Sequence, residues 1–314
     1  MKKNSVAYYN AFGGVYHERR LPKSTQFVAG AYLLVIGLVV MMISHGVSLG
    51  GSQSPVAKTD VSTQLVAHTQ AVVASPAAAQ PADPAPVVPP NETAQLASAV
   101  SDAISQNPAT SWSVAIYDIQ SKSWLLRSNA EQQMTSASLY KLYAAYGLSK
   151  KVPFAQWGSI QLAGHSLQDC VDLMIRDSDN TCGSAIGDYV GWRTIDVAIH
   201  AAGFTGTSLN LKTGPITNAD NTTRFMASLY QGKLFDQPTT DFLLSSLKAQ
   251  VYRSAIPAGC VGCTTYNKTG DDDSVTHDSA VVISGDRSYA VTIMSQGGTN
   301  AQIASIERAI QTVL

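Results

Sequence analysis

Three short motifs in this 314-residue chain contain residue types that can perform nucleophilic catalysis. They are Ser138-Leu-Tyr-Lys141, of the form S-x-x-K, then Ser178-Asp-Asn180, and finally Lys268-Thr-Gly270. A serine hydroxyl is a weak nucleophile and needs an adjacent base. Residues i and i+3 lie on one face of a helix, so Lys141 can reach the Ser138 oxygen if a helix begins there. The first motif therefore predicts a serine nucleophile and its lysine base.

The other two motifs supply the remaining groups that amide cleavage requires. A lysine is a base only when neutral, so the pKa of Lys141 must fall through burial and nearby positive charge, which Lys268 and the helix N-terminus would supply. Ser178 can pass a proton to the leaving nitrogen, and Asn180 can bind an amide of the substrate. Lys268 and Thr269 suit a carboxylate on the substrate. Together these residues predict acyl transfer from an amide.

Two further matches to the same patterns differ in their context. Ser245-Ser-Leu-Lys248 also fits S-x-x-K, and Lys212-Thr-Gly214 is a second K-T-G. Ser138 begins a predicted helix directly after a strand pair, whereas Ser245 lies inside a later helix. Lys268 follows a strand-like run, whereas Lys212 lies in a predicted loop. We therefore assign the catalytic roles to Ser138, Lys141, Ser178 and Lys268.

The elements that must position these residues alternate between strand and helix patterns. Two strands precede a long helical block, and three strands and one helix follow it, which predicts an α+β fold with an antiparallel sheet. The predicted strands are residues 112–119, 123–126, 264–267, 279–284 and 289–295. The predicted helices are residues 93–106, 138–149, 166–176, 181–190, 192–202, 222–234, 239–249 and 300–314.

Residues 95–314 resemble class A serine β-lactamases and penicillin-binding proteins, in which the three motifs occur in this order. Residues 252–259, Met174-Ile175 and His277-Asp278 match the corresponding segments of class A enzymes. The resemblance implies a β-lactamase/transpeptidase-like fold, a five-stranded antiparallel sheet flanked by helices. It also implies that Ser138 is acylated and that the N–H groups of Ser138 and Asp271 bind the oxyanion. Gly270 joins Asn180, Thr269 and Asp271 as a substrate-binding residue.

One part of the class A pattern is missing. Class A enzymes carry a glutamate in an E-x-x-L-N loop between S-D-N and K-T-G, and this glutamate activates the water that clears the acyl-enzyme. Here the only Leu-Asn pair in the interval is Leu209-Asn210, and the glutamate position of the pattern is occupied by Gly206. No glutamate occurs from residue 132 to 306. Asp220 is interpreted as a structural anchor of the loop rather than as a replacement base.

Because this base is missing, the sequence is compatible with both an enzyme and a protein that only binds β-lactams. Ser138 and Lys141 suffice for acylation, whereas hydrolysis of a β-lactam acyl-enzyme should be slow. We expect a β-lactamase-like serine hydrolase acting on β-lactams or D-alanyl cell-wall peptides. The alternatives are a cell-wall D,D-peptidase or esterase, and a β-lactam sensor that is acylated once. Repeated release of product distinguishes an enzyme from a sensor.

The N-terminal third has a different composition from the rest. Residues 27–44 contain no charge, which predicts a membrane-spanning helix over 27–48, with a cleaved signal peptide as the alternative. Five basic residues before it, among them Arg19 and Arg20, predict a cytoplasmic tail at 1–26. Residues 49–92 are rich in proline and alanine, which predicts a stalk. The catalytic domain, residues 93–314, is then expected outside the cell membrane.

The cysteines, the net charge and the acidic residues limit which ligands and partners we expect. Four cysteines in an oxidising envelope favour disulfides, most simply Cys170–Cys182 and Cys260–Cys263, with a zinc site or free thiols as alternatives. A formal net charge of −1 argues against nucleic-acid binding. We expect no metal and no cofactor. The acidic run at 271–273 would border the site and disfavour highly anionic substrates. His277, beside Asp278, is expected to make a structural hydrogen bond.

Overall fold

The computed structural model describes residues 8–9, 15–16, 90–209, 212 and 214–314. Two-residue strands occur at Tyr8–Tyr9 and Val15–Tyr16. The predicted membrane helix (27–48) and most of the predicted stalk (49–92) lie outside the described residues, as does most of the predicted cytoplasmic tail. Within the described part of the chain, no helix has both the length and the apolar character needed to cross a membrane.

One antiparallel sheet of five strands forms the centre of the described domain. Its strands are β1 (Ser111–Asp118), β2 (Ser123–Ser128), β3 (Thr264–Asp271), β4 (Val275–Ser284) and β5 (Arg287–Gln296). Their order across the sheet is β2-β1-β5-β4-β3, and every neighbouring pair is antiparallel. The predicted α+β sheet is thus confirmed, and β3, which carries the K-T-G motif, is an edge strand.

The helices lie on both sides of this sheet. They are α1 (Pro90–Gln106), α2 (Tyr140–Lys151), α3 (Leu167–Arg176), α4 (Asn180–Val190), α5 (Trp192–Ala201), α6 (Ala219–Tyr230), α7 (Gln237–Lys248), α8 (Ile256–Gly259) and α9 (Asn300–Gln311). Five helix starts have a side-chain cap of the type expected there, from Ser166, Asp179, Asn218, Asp236 and Thr299. Short strand pairs, Met134–Thr135 with Ile216–Thr217 and Gln161–Leu162 with His165–Ser166, complete the connections.

Alternating residues of the sheet contribute to two separate cores, because successive side chains of a strand point to opposite faces. On β4, Val282 packs in a core with Leu96 of α1 and Ile306 of α9. Its neighbour Val281 packs instead against the helical block. Helix α2 runs through that block and buries every residue from 140 to 148. Lys141, on α2, is therefore enclosed by other helices.

Several element boundaries differ from the sequence prediction. Helix α1 begins at Pro90, within the residues assigned to the stalk. Helix α6 begins at Ala219 instead of residue 222, because Asn218 caps it. Strand β3 continues from the predicted end at residue 267 through Asp271, since its polar residues pair with β4. Helix α8 was not predicted.

Candidate active site

Ser138 lies in a single 3₁₀ turn, Ala137–Leu139, that leads directly into α2. The preceding residue, Ala137, has φ of 42°, a left-handed conformation that is uncommon for a residue with a side chain. Such backbone conformations occur at functional sites where the surrounding structure enforces them. The turn places Ser138 at the N-terminal end of a buried helix, where backbone N–H groups favour negative charge.

Lys141 is one turn further along and contacts Ser138, Ser178 and Asn180. Its Nζ lies 3.0 Å from Ser138 Oγ, 3.2 Å from Ser178 Oγ and 2.7 Å from Asn180 Oδ1, and donates to the Ser178 carbonyl at 2.5 Å. Helix α4 approaches this lysine closely at Gly183, where a Cβ would lie 3.0 Å from Lys141 Cε. The predicted reach of the lysine to the serine is therefore present in the structure.

The two lysines of the site are both fully buried. Burial lowers the pKa of Lys141 to about 8, while the Asp179 carboxylate acts in the opposite direction. Burial and the positive charge of Lys141 lower the pKa of Lys268 to about 7, against Asp278 and Asp271. The sequence prediction attributed part of the shift on Lys141 to Lys268. In the structure the shift of Lys141 comes from burial, and the repulsion between the amines lowers the pKa of Lys268.

Ser178 lies in the tight loop between α3 and α4. Its φ is 58°, so this loop also contains a left-handed residue. Ser178 Oγ accepts a hydrogen bond from Lys268 Nζ at 2.9 Å. Asp179 ends the loop by accepting from Cys182 N at 2.7 Å, as the cap of α4. The Ser178 hydroxyl is therefore held between two amines, where it can relay a proton.

Both predicted disulfides form, and the first one spans this loop. Cys170 of α3 is bonded to Cys182 of α4, and Cys260 is bonded to Cys263 ahead of β3. The Cys170–Cys182 bridge joins the two helices on either side of Ser178, so it fixes their separation. With all four sulfurs in disulfides, none is a thiolate that could bind zinc.

Strand β3 lies alongside the turn that holds Ser138. A Cβ at Gly270 would lie 2.9 Å from both Leu139 Cγ and the Ser136 carbonyl oxygen, so only glycine allows this approach. Asp272 N bonds to Val275 O at 3.0 Å, and antiparallel pairs alternate between bonded and unbonded. The backbone N–H of Asp271 therefore points away from β4, toward the side where the turn lies. This geometry agrees with the predicted oxyanion role of Asp271.

A cavity of about 250 Å³ opens at Ser138. Asn180 and Asp271, both predicted substrate-binding residues, line it. Thr269 is buried, and its carbonyl accepts from Lys268 Nζ at 2.9 Å. The complete lining is Thr135, Ala137, Ser138, Tyr140, Asn180, Pro215, Asp271 and Asp272. The structure thus brings all three motifs to one place.

Asp220 lies away from this cavity. Its carboxylate is 2.8 Å from Arg127 Nη2 and 3.1 Å from Arg224 Nε, and it belongs to the first turn of α6. These three side chains line a different and larger pocket, of about 640 Å³. Both ion pairs hold the carboxylate in that pocket, away from Ser138. The structure supports the interpretation of Asp220 as an anchor.

His277 makes the structural hydrogen bonds expected of it. Its Nδ1 accepts from Ser295 N at 3.2 Å, so the proton is on Nε2, which donates to the Thr135 carbonyl at 2.9 Å. Burial lowers the pKa of His277, which keeps the ring neutral. His277 thereby ties β4 and β5 to the segment just before Ser138. Asp278 instead accepts from Ile256 N and from the Asn267 amide.

Two residues that matter for the site were missed from the sequence. Ala137 carries the strained conformation before Ser138, and no local signal in the sequence marks it. Asp179 sets the charge environment of Lys141. An acidic residue immediately before a predicted helix is a typical N-cap, so this second residue could have been found.

Comparison with known proteins gives one family match. The profile of the β-lactamase enzyme family matches residues 156–313, half of the chain. This span contains S-D-N and K-T-G and begins after Ser138. No curated protein sequence matches the chain.

Solved structures share the fold at low sequence identity. A β-lactamase from Chitinophaga pinensis is 14% identical, with a TM-score of 0.62 over 71% of this chain and 97% of that one. The TLA-1 extended-spectrum β-lactamase is 15% identical, with a TM-score of 0.64 over 71% and 99%. A leucine-to-glutamate variant of PBP-A, in an acyl-enzyme complex with penicillin G, is 19% identical, with a TM-score of 0.61 over 70% and 96%. These likenesses show the fold of the described domain.

Proposed function

Because the chain belongs to the β-lactamase enzyme family and is a serine hydrolase, we propose that it forms an acyl-enzyme on Ser138 with β-lactams or D-alanyl cell-wall peptides. The observation that carries the proposal is the contact between Lys141 Nζ and Ser138 Oγ at 3.0 Å. With a pKa of about 8, a useful fraction of Lys141 is neutral near pH 7 and can accept the serine proton. The PBP-A variant, itself an acyl-enzyme with penicillin G, supports β-lactams as one substrate class.

Acylation then proceeds through groups already in contact. Lys141 Nζ takes the hydroxyl proton as Ser138 Oγ attacks the carbonyl carbon. The oxyanion binds the N–H groups of Ser138 and Asp271, and loss of one such donor typically costs about 10²–10³ in rate. When the C–N bond breaks, Ser178 gives its proton to the leaving nitrogen. Lys141, 3.2 Å from Ser178 Oγ, returns its proton to Ser178 and is neutral again.

Deacylation is the slow step of this mechanism. The sequence has no glutamate between residues 132 and 306, and Asp220 is ion-paired outside the cavity. Water must therefore be activated without the base that class A enzymes use. This absence favours a penicillin-binding enzyme, a D,D-peptidase or esterase that β-lactams inhibit, over efficient antibiotic hydrolysis. A sensor that is acylated once is the remaining alternative.

The site of action follows from the N-terminal sequence. An uncharged segment at 27–48, preceded by five basic residues and one acidic residue, supports a single-pass anchor with the N-terminus in the cytoplasm. The Pro/Ala-rich stalk then carries the catalytic domain outside the membrane, within reach of peptidoglycan. Two disulfides in the domain support an oxidising compartment. Protease treatment of intact spheroplasts tests this: digestion of the catalytic domain is expected, and full protection contradicts it.

Labelling with a fluorescent penicillin tests the proposed chemistry. The full-length chain, purified in detergent, is labelled beside Ser138→Ala and a matched control, Ser245→Ala, which changes the serine of the second S-x-x-K. We expect a label on wild type and control but none on Ser138→Ala, persisting for hours in a chase. Loss of label within seconds, with hydrolysed antibiotic accumulating, indicates an efficient β-lactamase instead. Equal labelling of Ser138→Ala contradicts the assignment of the nucleophile.

A further inference from the structure

Two acidic residues share the cavity with the nucleophile. Asp271 and Asp272 follow the K-T-G motif at the end of β3, and both line the cavity that opens at Ser138. Among the residues that the structure describes, this lining contains no lysine, arginine or histidine. Lys141 and Lys268 lie behind it, fully buried. A substrate entering this cavity therefore meets two carboxylates in the described lining, with the two amines buried behind it.

The two carboxyl groups differ in how they are held. Asp272 Oδ1 accepts from Ser274 N at 2.8 Å, Ser274 Oγ at 2.9 Å and Val275 N at 3.0 Å, which fixes it in the turn after β3. The Asp271 carboxyl makes no hydrogen bond or ion pair with any described residue. Burial raises the pKa of Asp271 to about 6, so the group is still mostly ionised at pH 7. Among the described residues, the Asp271 carboxylate therefore interacts with Lys268 only through charge and is not held by a hydrogen bond.

The direction of β3 determines which part of a substrate these carboxylates meet. In both β-lactams and D-alanyl peptides, the free carboxylate lies on the amine side of the bond that breaks. The proposed carboxylate site is at Lys268 and Thr269, and the carbonyl oxygen lies at Asp271 N. A strand rises about 3.3 Å per residue, so Asp272 lies about 10 Å beyond Thr269. Asp271 and Asp272 therefore face the acyl portion of the substrate.

We propose that Asp271 and Asp272 make the site selective for β-lactams and amides whose acyl portion carries a protonated amine, and against those with a second carboxylate there. The inference rests on the proposed acylation of Ser138 and adds the substrate class. A partly exposed charge pair contributes modestly, so we expect about a threefold to tenfold effect on rate for each charge.

Three penicillins that differ in one substituent test the proposal. Benzylpenicillin has a neutral side chain, ampicillin has an ammonium group on the same carbon, and carbenicillin has a carboxylate there. An α-amino group has a pKa near 8, so ampicillin is mostly cationic at pH 7. The second-order rate of acylation of the full-length chain is measured by intact-protein mass spectrometry. We expect ampicillin to react fastest and carbenicillin slowest, with the differences shrinking in 0.5 M salt.

Matched variants assign the effect to the two carboxylates. Asp272→Asn keeps the acceptor of the turn and should reduce the spread of the three rates, and the double variant with Asp271→Asn should nearly abolish it. Asp102→Asn removes one charge from the exposed face of α1 and should leave the order unchanged. Ratios of rates within one variant do not depend on how much protein is correctly folded.

The outcomes separate the inference from the function it rests on. Equal acylation rates for the three penicillins in wild type, with Ser138 acylated by each, overturn the proposed selectivity but not the assignment of Ser138 as the nucleophile. A spread that persists in the double variant overturns the roles of Asp271 and Asp272. Absence of acylation by all three overturns both the proposed function and this inference.

Discussion

Acylation of Ser138 should depend steeply on pH, because only neutral Lys141 can accept the serine proton. With a pKa of about 8, the neutral fraction of Lys141 is about 1% at pH 6, about 9% at pH 7 and about 91% at pH 9. The rate constant for acylation by benzylpenicillin should therefore rise between pH 6 and pH 9. The rise should be smaller than the roughly 90-fold change in neutral Lys141, because Lys268, which is proposed to bind the substrate carboxylate, loses its charge in this range. Lys268 has a pKa of about 7 and interacts with Lys141. The apparent pKa values of the pH profile therefore belong to the two amines together.

A charge-removing variant tests the physical origin of that profile. The Asp179 carboxylate raises the pKa of Lys141, so Asp179→Asn should move the rise in rate to lower pH and speed acylation at pH 6. Asparagine also caps helices well, so α4 should remain intact. The control is Asp188→Asn, which changes a carboxylate at the far end of the same helix, bonded to Trp192. Stopped-flow or quenched mass spectrometry gives the rates. A flat profile in wild type, or an identical profile in Asp179→Asn, refutes the assignment of Lys141 as the base.

Three further variants test a buried carboxyl group of α9, the close packing at Gly270 and the disulfide beside Ser178. Burial raises the pKa of Glu307 from 4.5 to about 7, so the destabilisation caused by its ionisation grows as pH rises through this range. Glu307→Gln should match wild type at about pH 4 and be more stable by up to about 3 kcal/mol at about pH 8 in urea unfolding, whereas the exposed Glu131→Gln should not show this change. Gly270→Ala forces a Cβ against the Ser138 turn, so acylation should fall at least about 100-fold while circular dichroism shows a folded domain. Removing the bridge with Cys170→Ala and Cys182→Ala should lower the free energy of unfolding by about 2–3 kcal/mol, measured by thermal or urea unfolding, and unchanged stability contradicts this.

The sequence allowed the candidate site residues to be selected, because the spacing inside a motif limits where its side chains can lie. The i, i+3 spacing brings Lys141 to Ser138, and the structure has that contact. Two cysteines on either side of S-D-N pointed to the bridge that the structure forms. Hydrophobic periodicity, together with turn and helix-capping residues, located the sheet and most helices. The fold class and the order of the elements were therefore predictable.

The remaining features depend on contacts between distant segments. Strand β3 extends through Gly270 and Asp271, two poor strand formers, because pairing with β4 and packing against Leu139 outweigh local preference. The left-handed Ala137 is imposed by its surroundings. The lowered pKa of Lys141 depends on how completely α4 covers it, which only the packing at Gly183 reveals.

The strand order has a consequence for how the protein is made. Strands β1 and β2 leave the ribosome before the helical block, and β3, β4 and β5 follow it. Yet β5 inserts between β1 and β4, pairing residues from nearly opposite ends of the domain, as in Tyr289 with Asp118. Until β5 has been synthesised, one edge of β1 is unpaired. The strand pair that carries Lys268 then cannot join β1, so Lys268 is not held beside Ser178. Such long-range pairing folds slowly and exposes edges that aggregate. The active site therefore assembles only after β5 has been synthesised. A chain truncated before β5 should lack acylation activity and should aggregate.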